Sequence, residues 1–271
     1  LEKAMDIYPK ARRILLTVLQ DRLILPGLVG FTNLGYHWHK RNWKPLSAPM
    51  RGRTVVITGA TSGLGRAAAH QLAALGARVI LVGRSKAKTQ STRREIVAET
   101  GNDDVAVAIA DLGLLADVRR LAQQLLDDEP RIHVLVNNAG VLLNRRTTTA
   151  EGNEATLATN LLAPFLLTQL LLPRLRKSAP SRIINVSSGG MYTAGLALDD
   201  LQYENTAYNG SRAYARTKRA LVVLTELWAD RLKDSGVVVP AMHPGWADTP
   251  GVAGSLPGFH AVTRLLLRTA E

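Results

Sequence analysis

Tyr214 and Lys218 stand four positions apart in the stretch YARTK. On a helix that is one turn, so the two side chains share a face. A phenol beside an ammonium can do proton chemistry. A free phenol titrates near pH ~10, and a neighbouring cation stabilises the phenolate and lowers that value. The spacing alone is weak, because six tyrosines and nine lysines in 271 residues give about 0.2 matches by chance. The chain holds a second match, YHWHK at 36–40. Tyr36 and Lys40 precede every strand pattern and read as coincidence. Tyr214 and Lys218 follow such a pattern, and Ser188 lies 26 positions before Tyr214.

The elements that would position them are legible from residue 51 onward. Short runs rich in β-branched residues alternate with longer helical patterns: TVVIT (54–58), RVILVG (78–83), VAVAIA (105–110), HVLVN (133–137), RIINVS (182–187) and VVVPAM (237–242). These runs are almost wholly apolar rather than alternating, as strands buried on both faces are. The expected fold class is α/β: a doubly wound, Rossmann-type parallel sheet in three αβα layers with right-handed crossovers. Such a sheet gathers the carboxyl ends of its strands at one edge, which lets Ser188 meet Tyr214.

TVVITGATSGLGRAAAHQLAALGA reads as strand, glycine turn and helix, with Gly59, Gly63 and Gly65 spaced G-x-x-x-G-x-G. Glycines let the backbone approach a pyrophosphate, and the helix N-terminus offers free N–H groups to it. The plainer alternative is a tight turn without a ligand. After RVILVG comes Arg84, then Ser85, Lys86 and Lys88, with no carboxylate. An acidic residue there would favour NAD. A guanidinium can clamp the 2′-phosphate of NADP, so NADP is the expected cofactor and NAD the lesser alternative.

TGATSGLG, NNAG (137–140), NVSS (185–188), YARTK and HPGWADT (243–249) resemble, in order and spacing, the blocks of the short-chain dehydrogenase/reductase family over about residues 51–255. VSSGGM and HPGWADTPGV look like its subgroup around dehydrogenase/reductase SDR family member twelve. The resemblance implies an oxidoreductase interconverting a carbonyl and an alcohol. It assigns Tyr214 as acid and base, Lys218 as the cation that lowers its pKa and holds the nicotinamide ribose, and Ser188 as the group that orients the substrate oxygen. Asn160 would hold a water linking Lys218 to solvent. It also implies cofactor contacts from Gly59, Thr61, Ser62, Gly63, Leu64 and Gly65, from Arg84 and Ser85, and from Asp111 and Leu112 in ADL. Asn138, Ala139 and Gly140 would line the adenosine side, and Pro244, Gly245 and Thr249 the nicotinamide side. Plainer roles compete: Asp111 as a helix N-cap, Asn137 and its neighbours as sheet stiffening, Ser187 in place of Ser188, Asn160 as an ordinary polar helix residue. His243 has no second ligand at metal spacing and reads as packing; no metal is expected.

Composition bounds the rest. With 46% apolar residues a large core can form, and with no cysteine there is neither disulfide nor thiolate chemistry. The net charge of +12 suits an anionic partner, but no nucleic-acid motif accompanies it, so none is expected. Residues 1–50 differ in texture, with eight cations against three anions and with Trp38 and Trp43 nearby. They read as an N-terminal helical extension, either packed on the domain or in peripheral contact with a membrane surface. Residues 51–271 are expected to form the single catalytic domain, which the resemblance implies stops before the family's last helix and strand. No stretch of about 18 uncharged apolar residues is expected to span a bilayer. The greasy helices around Asn160 and Tyr214 suggest a homodimer or homotetramer. A lipophilic carbonyl or alcohol is the expected substrate, in the cytoplasm or at a membrane surface. The alternative function is a nucleotide-binding sensor or scaffold without turnover.

Overall fold

The computed structural model describes residues 32–42, 49–245 and 267. A short helix α1 (Asn33–Lys40) precedes the sheet. Strands β1 (Thr54–Thr58), β2 (Arg78–Gly83), β3 (Val105–Ile109), β4 (Val134–Asn137) and β5 (Ser181–Val186) then alternate with α2 (Gly63–Ala74), α3 (Lys86–Thr100), α4 (Leu115–Asp128) and α5 (Ala155–Lys177). After β5 come a 3-10 turn (Gly189–Thr193), the long α6 (Gly210–Leu232) and two short strands, β6 (Val237–Val238) and β7 (Ala241–Met242). Every pairing is parallel, and the order is β3-β2-β1-β4-β5-β6, with β7 also on β5. The expected doubly wound sheet is therefore present.

The apolar strands have a simple cause. Successive strand residues point to opposite faces, and each face has its own core. Val56, Ile80, Leu135 and Ile183 pack with Leu121, Leu167, Leu171 and Trp228 from α4, α5 and α6. Val55, Ile57, Val79 and Leu81 pack with Ala69, Ala73 and Ile96 from α2 and α3. The edge strand departs from expectation. VVVPAM has the pattern of one strand, but it splits at Pro240, which has no N–H to give a ladder.

The α5 helix also departs from the expectation drawn from its sequence. Among the described residues it is the one helix long and apolar enough to cross a bilayer by length and composition, yet 56% of that stretch is buried within the fold. Ala163, Leu167, Leu171 and Leu175 form its buried side, the arrangement of a core helix. Most of the 1–50 extension lies outside the described residues.

Leu135 is fully buried at the centre of the sheet, in register with Val56 and Ile183. Leu135→Ala should cost ~2–5 kcal/mol of stability by cavity formation, measured by urea denaturation. A loss below about 1 kcal/mol would be at odds with that packing.

Candidate active site

The carboxyl ends of β1, β4 and β5 converge where the strand order reverses, the place such sheets keep for ligands. After β1, Gly59 (φ 67°) and Gly63 (φ 49°) take left-handed backbone. A Cβ on Gly59 would lie 2.9 Å from the Cα of Ala139, and one on Gly65 would lie 2.3 Å from the Gly59 carbonyl oxygen. Only glycine keeps this cradle open. Ser62 caps α2 with extended backbone, and its side chain bonds none of the first amides, so hydroxyl and helix end both remain available to a phosphate. Thr61 and Leu64 are half-buried in the same turn.

The NNAG stretch is clamped to this turn. Asn138 Nδ2 donates to the carbonyl of Thr58 at 2.8 Å, and Thr58 Oγ1 accepts from the amides of Asn138 at 3.0 Å and Ala139 at 3.1 Å. Below it, Asn137 Nδ2 bonds Thr168 Oγ1 and Asn185 Oδ1, and Asn185 Nδ2 bonds Thr225 Oγ1. This buried polar row fastens β4 and β5 to α5 and α6. Sequence reasoning misses Thr58; its one signal is its place immediately before Gly59.

At the end of β2, Gly83 is as restricted as the loop glycines: a Cβ there would stand 2.3 Å from Thr89 Oγ1 and 2.8 Å from Thr61 Cγ2. Arg84 follows with its side chain 79% exposed, and its Nη1 lies 4.0 Å from Asp111 Oδ2. Ser85 caps α3, its Oγ accepting from the Lys88 amide at 3.4 Å. Asp111 is not a helix cap, because Leu114 holds that position; its Oδ1 accepts instead from Gly113 at 2.9 Å. Leu112 is buried and belongs to the core. Arg84 and Asp111 thus stand together just beyond the carboxyl ends of β2 and β3.

Tyr214, Lys218 and Ser188 converge on the other side. Ser188 Oγ accepts from the Gly190 amide at 3.2 Å, which leaves its own proton to donate. Ser187 cannot serve in its place, since its Oγ donates to the carbonyl of Lys218 at 3.1 Å and fastens strand end to helix. Lys218 is 3% exposed. Its Nζ donates to the carbonyl of Val186 at 2.8 Å and lies 5.7 Å from the Tyr214 ring centroid. Burial pulls its ammonium down to about 8. The expected depression of the phenol does not hold in the isolated protein. Burial pushes Tyr214 above its ordinary value, and a hydrogen bond with Ser188 offsets this only in part. An ionised oxygen stripped of water is costly, and the Lys218 ammonium is already engaged by Val186.

Asn160 is fully buried in a π turn (Ala158–Leu162) of α5; such turns are frequent at functional sites. Its amide pairs with both backbone groups of Val141, at 2.8 and 2.9 Å, and Nδ2 also reaches Thr217 Oγ1 at 3.2 Å. Thr217 Oγ1 donates to the carbonyl of Tyr214 at 2.8 Å. Thr217 lies inside YARTK, where only its neighbours invite attention. Gly140 keeps this corner open, since a Cβ there would lie 3.2 Å from Lys218 Nζ.

The His243 ring packs at Gly189, where a Cβ would stand 2.9 Å from Nε2, and burial lowers its pKa. Pro244 and Gly245 (φ 76°) follow at the same edge, while Thr249 lies outside the described residues. Among the described residues no cluster of three metal-ligating side chains occurs.

The family model for short chain dehydrogenases matches residues 53–257. The chain is 40% identical to bovine (Bos taurus) dehydrogenase/reductase SDR family member 12 over 245 residues, covering 90% of this chain and 76% of that one. It is 40% identical to human (Homo sapiens) retinol dehydrogenase 13 over 219 residues, covering 81% and 66%. Among solved structures, a short-chain dehydrogenase from Sphingobium yanoikuyae in complex with NADPH superposes with a TM-score of 0.62 at 29% identity, covering 75% of this chain and 74% of that one.

Burying the Lys218 ammonium has a stability cost with a definite pH dependence. Between about 8 and 10.5 the unfolded chain holds a proton that the folded chain has released, so stability rises with pH across that window. Below it the cost is complete, on the order of 3 kcal/mol at ~1.4 kcal/mol per unit. Lys218→Met removes the charge and leaves the Val186 carbonyl without its donor. The variant should be ~1–3 kcal/mol more stable than wild type at pH ~7, with the advantage shrinking above pH 8. Chemical denaturation of cofactor-free protein measures this; a variant less stable than wild type at neutral pH would refute the assignment.

Proposed function

The chain belongs to the short-chain dehydrogenase family, and from that premise we propose an NADP-dependent oxidoreductase that interconverts a lipophilic carbonyl and its alcohol, with Tyr214 as acid and base. Family membership and the dehydrogenase relatives make the chain an NAD(P)-dependent oxidoreductase of alcohols or carbonyls. The observation that carries the finer reading is the grouping of part-buried Tyr214 and Ser188 with buried Lys218 at the same sheet edge as the glycine cradle.

When bound, a nicotinamide supplies or accepts the hydride. Tyr214 gives its proton to the substrate oxygen in reduction and takes one in oxidation. Ser188, with its Oγ already accepting from Gly190, donates to that same oxygen. Burial keeps the phenol protonated, the form that serves carbonyl reduction. Lys218, charged below pH about 8, favours negative charge developing on the phenol oxygen. Asn160 and Thr217 hold the Tyr214 turn against the Val141 loop.

Four surface features support the remaining parts of the proposal. Arg84, Lys86 and Lys88 stand at the start of α3, with no acidic residue in its first turn, an arrangement that suits a 2′-phosphate. Tyr192 and Leu198 are 63% and 75% exposed close after Ser188, and relatives carry retinol dehydrogenase names; both suit an apolar substrate. Phe165 on α5 and Leu227 on α6 are 40% and 51% exposed, which suits a homodimer or homotetramer. We keep residues 1–50 as an extension separate from the 51–271 catalytic domain. Within it, exposed Trp38 with Arg41 over its ring suits peripheral membrane contact by a protein otherwise in the cytoplasm.

Following NADPH absorbance with a panel of aldehydes and ketones tests the reaction. Tyr214→Phe should lose ~10²–10⁴ of the rate and keep its NADPH affinity; a variant of near-wild-type rate would end the acid–base assignment. For wild type, kcat/KM for reduction should be flat at neutral pH and fall as pH rises through about 8, where Lys218 loses its proton. A rate that climbs through that range would contradict the role of Lys218. Arg84→Ala should weaken NADPH roughly tenfold to a hundredfold and leave NADH unchanged, by fluorescence titration; equal weakening of both would point away from a 2′-phosphate contact.

A further inference from the structure

Two stretches far apart in the sequence meet beside the catalytic serine. Gly189 of VSSGGM lies against the ring of His243 of HPGWADTPGV. Strand β7 brings them together: Val186 pairs with Met242, and the Ser187 amide donates to the Met242 carbonyl at 2.8 Å. His243 follows directly, beside the strand end that runs on into Ser188.

The contact is closely fitted. A Cβ on Gly189 would stand 2.9 Å from the ring Nε2 and 3.3 Å from Cε1. Gly189 does not take left-handed backbone, so its conformation does not ask for glycine. The ring does. Both ring nitrogens are sealed from solvent, which leaves the imidazole little room to step aside. Burial holds its pKa below the ordinary value, so at neutral pH it adds bulk without charge.

What it supports is the turn that carries Ser188. The Gly190 amide donates to Ser188 Oγ at 3.2 Å. Two adjacent glycines have wide conformational freedom and no side chains of their own to pack, so this turn needs restraint from outside. The Arg219 guanidinium reaches the carbonyls of Met191 and Ala194, at 3.5 and 3.4 Å, further along. His243 is the support at the glycines themselves.

We propose that His243 is a positioning residue for the reaction. Its ring wedges Gly189 and so keeps the Gly190 amide on Ser188 Oγ, with the Ser188 proton turned to the substrate oxygen. The inference rests on the role given to Ser188 above.

Hydrogen exchange of the Gly190 amide, read by NMR in the cofactor-free full chain, tests the wedge without turnover. His243→Ala should speed it roughly tenfold or more by local opening. Adding Gly189→Ala to His243→Ala puts a methyl where the ring was and should slow exchange again. Unchanged exchange in His243→Ala would overturn the proposal, and so would a double variant that stays as fast. In NADPH-dependent carbonyl reduction, His243→Ala should lower kcat roughly tenfold to a hundredfold and change KM for the carbonyl much less. In a Ser188→Ala background it should lower kcat no further; losses that multiply would show that the ring does not act through Ser188 and would overturn the proposal. A wild type that reduces no carbonyl would instead end the functional reading, and Gly190 exchange would still decide the wedge. If His243→Ala does not fold, Gly189→Ala alone decides, because its methyl presses on the ring. It should speed Gly190 exchange and lower kcat; wild-type behaviour of that variant would refute the fit.

Discussion

The site depends on one seated charge: the Lys218 ammonium against the Val186 carbonyl, 2.8 Å away and almost out of water. Val186 ends β5 and Lys218 lies near the start of α6, so this hydrogen bond sets where the helix lies on the strand end. The neighbouring Ser187 repeats the connection in reverse, strand hydroxyl to helix carbonyl. With both bonds made, Tyr214 comes to Ser188 rather than to solvent. A buried ammonium opposes folding, and the apolar cores on the two faces of the sheet must outweigh it. Stability and proton chemistry therefore pull against each other at one residue.

A second set of polar groups keeps the two halves of the edge in register. Thr58 and Asn138 join the glycine turn to the end of β4, and Asn160 joins the loop after β4 to Thr217 beneath Tyr214. Buried networks of this kind are costly if half made and rigid if complete. Here they connect the glycine turn to the Tyr214 turn through fixed backbone contacts.

Much of this is legible in the sequence. The strand runs, the glycine turn and the Tyr214–Lys218 spacing each have a local physical signature, and their order along the chain decides between two Tyr-x-x-x-Lys matches. The parts not legible are those set by tertiary contact. Nothing local distinguishes Ser187 from Ser188; the difference is that one hydroxyl meets the helix carbonyl and the other does not. The π turn around Asn160 has no composition of its own. The phenol looks easy to ionise because its neighbour is a cation, whereas burial acts on both groups and raises one as it lowers the other. Pro240 and the apolar run in α5 are visible, but the continuity of VVVPAM and the polar residues within α5 mask what each does. Arg216 and Tyr203 meet only because residues 196–203 fold back over α6, a contact that no periodicity announces.

The central claim is tested most directly by the proton equilibrium of Lys218 itself. An NMR pH titration of protein labelled at the lysine Cε positions, with the Lys218 signal assigned from its absence in Lys218→Met, reads that equilibrium without substrate or turnover. A midpoint near 8 is the result expected of an ammonium held in a dry seat at the strand end. A midpoint near 10.5, the ordinary lysine value, would mean a solvated side chain and would contradict the account.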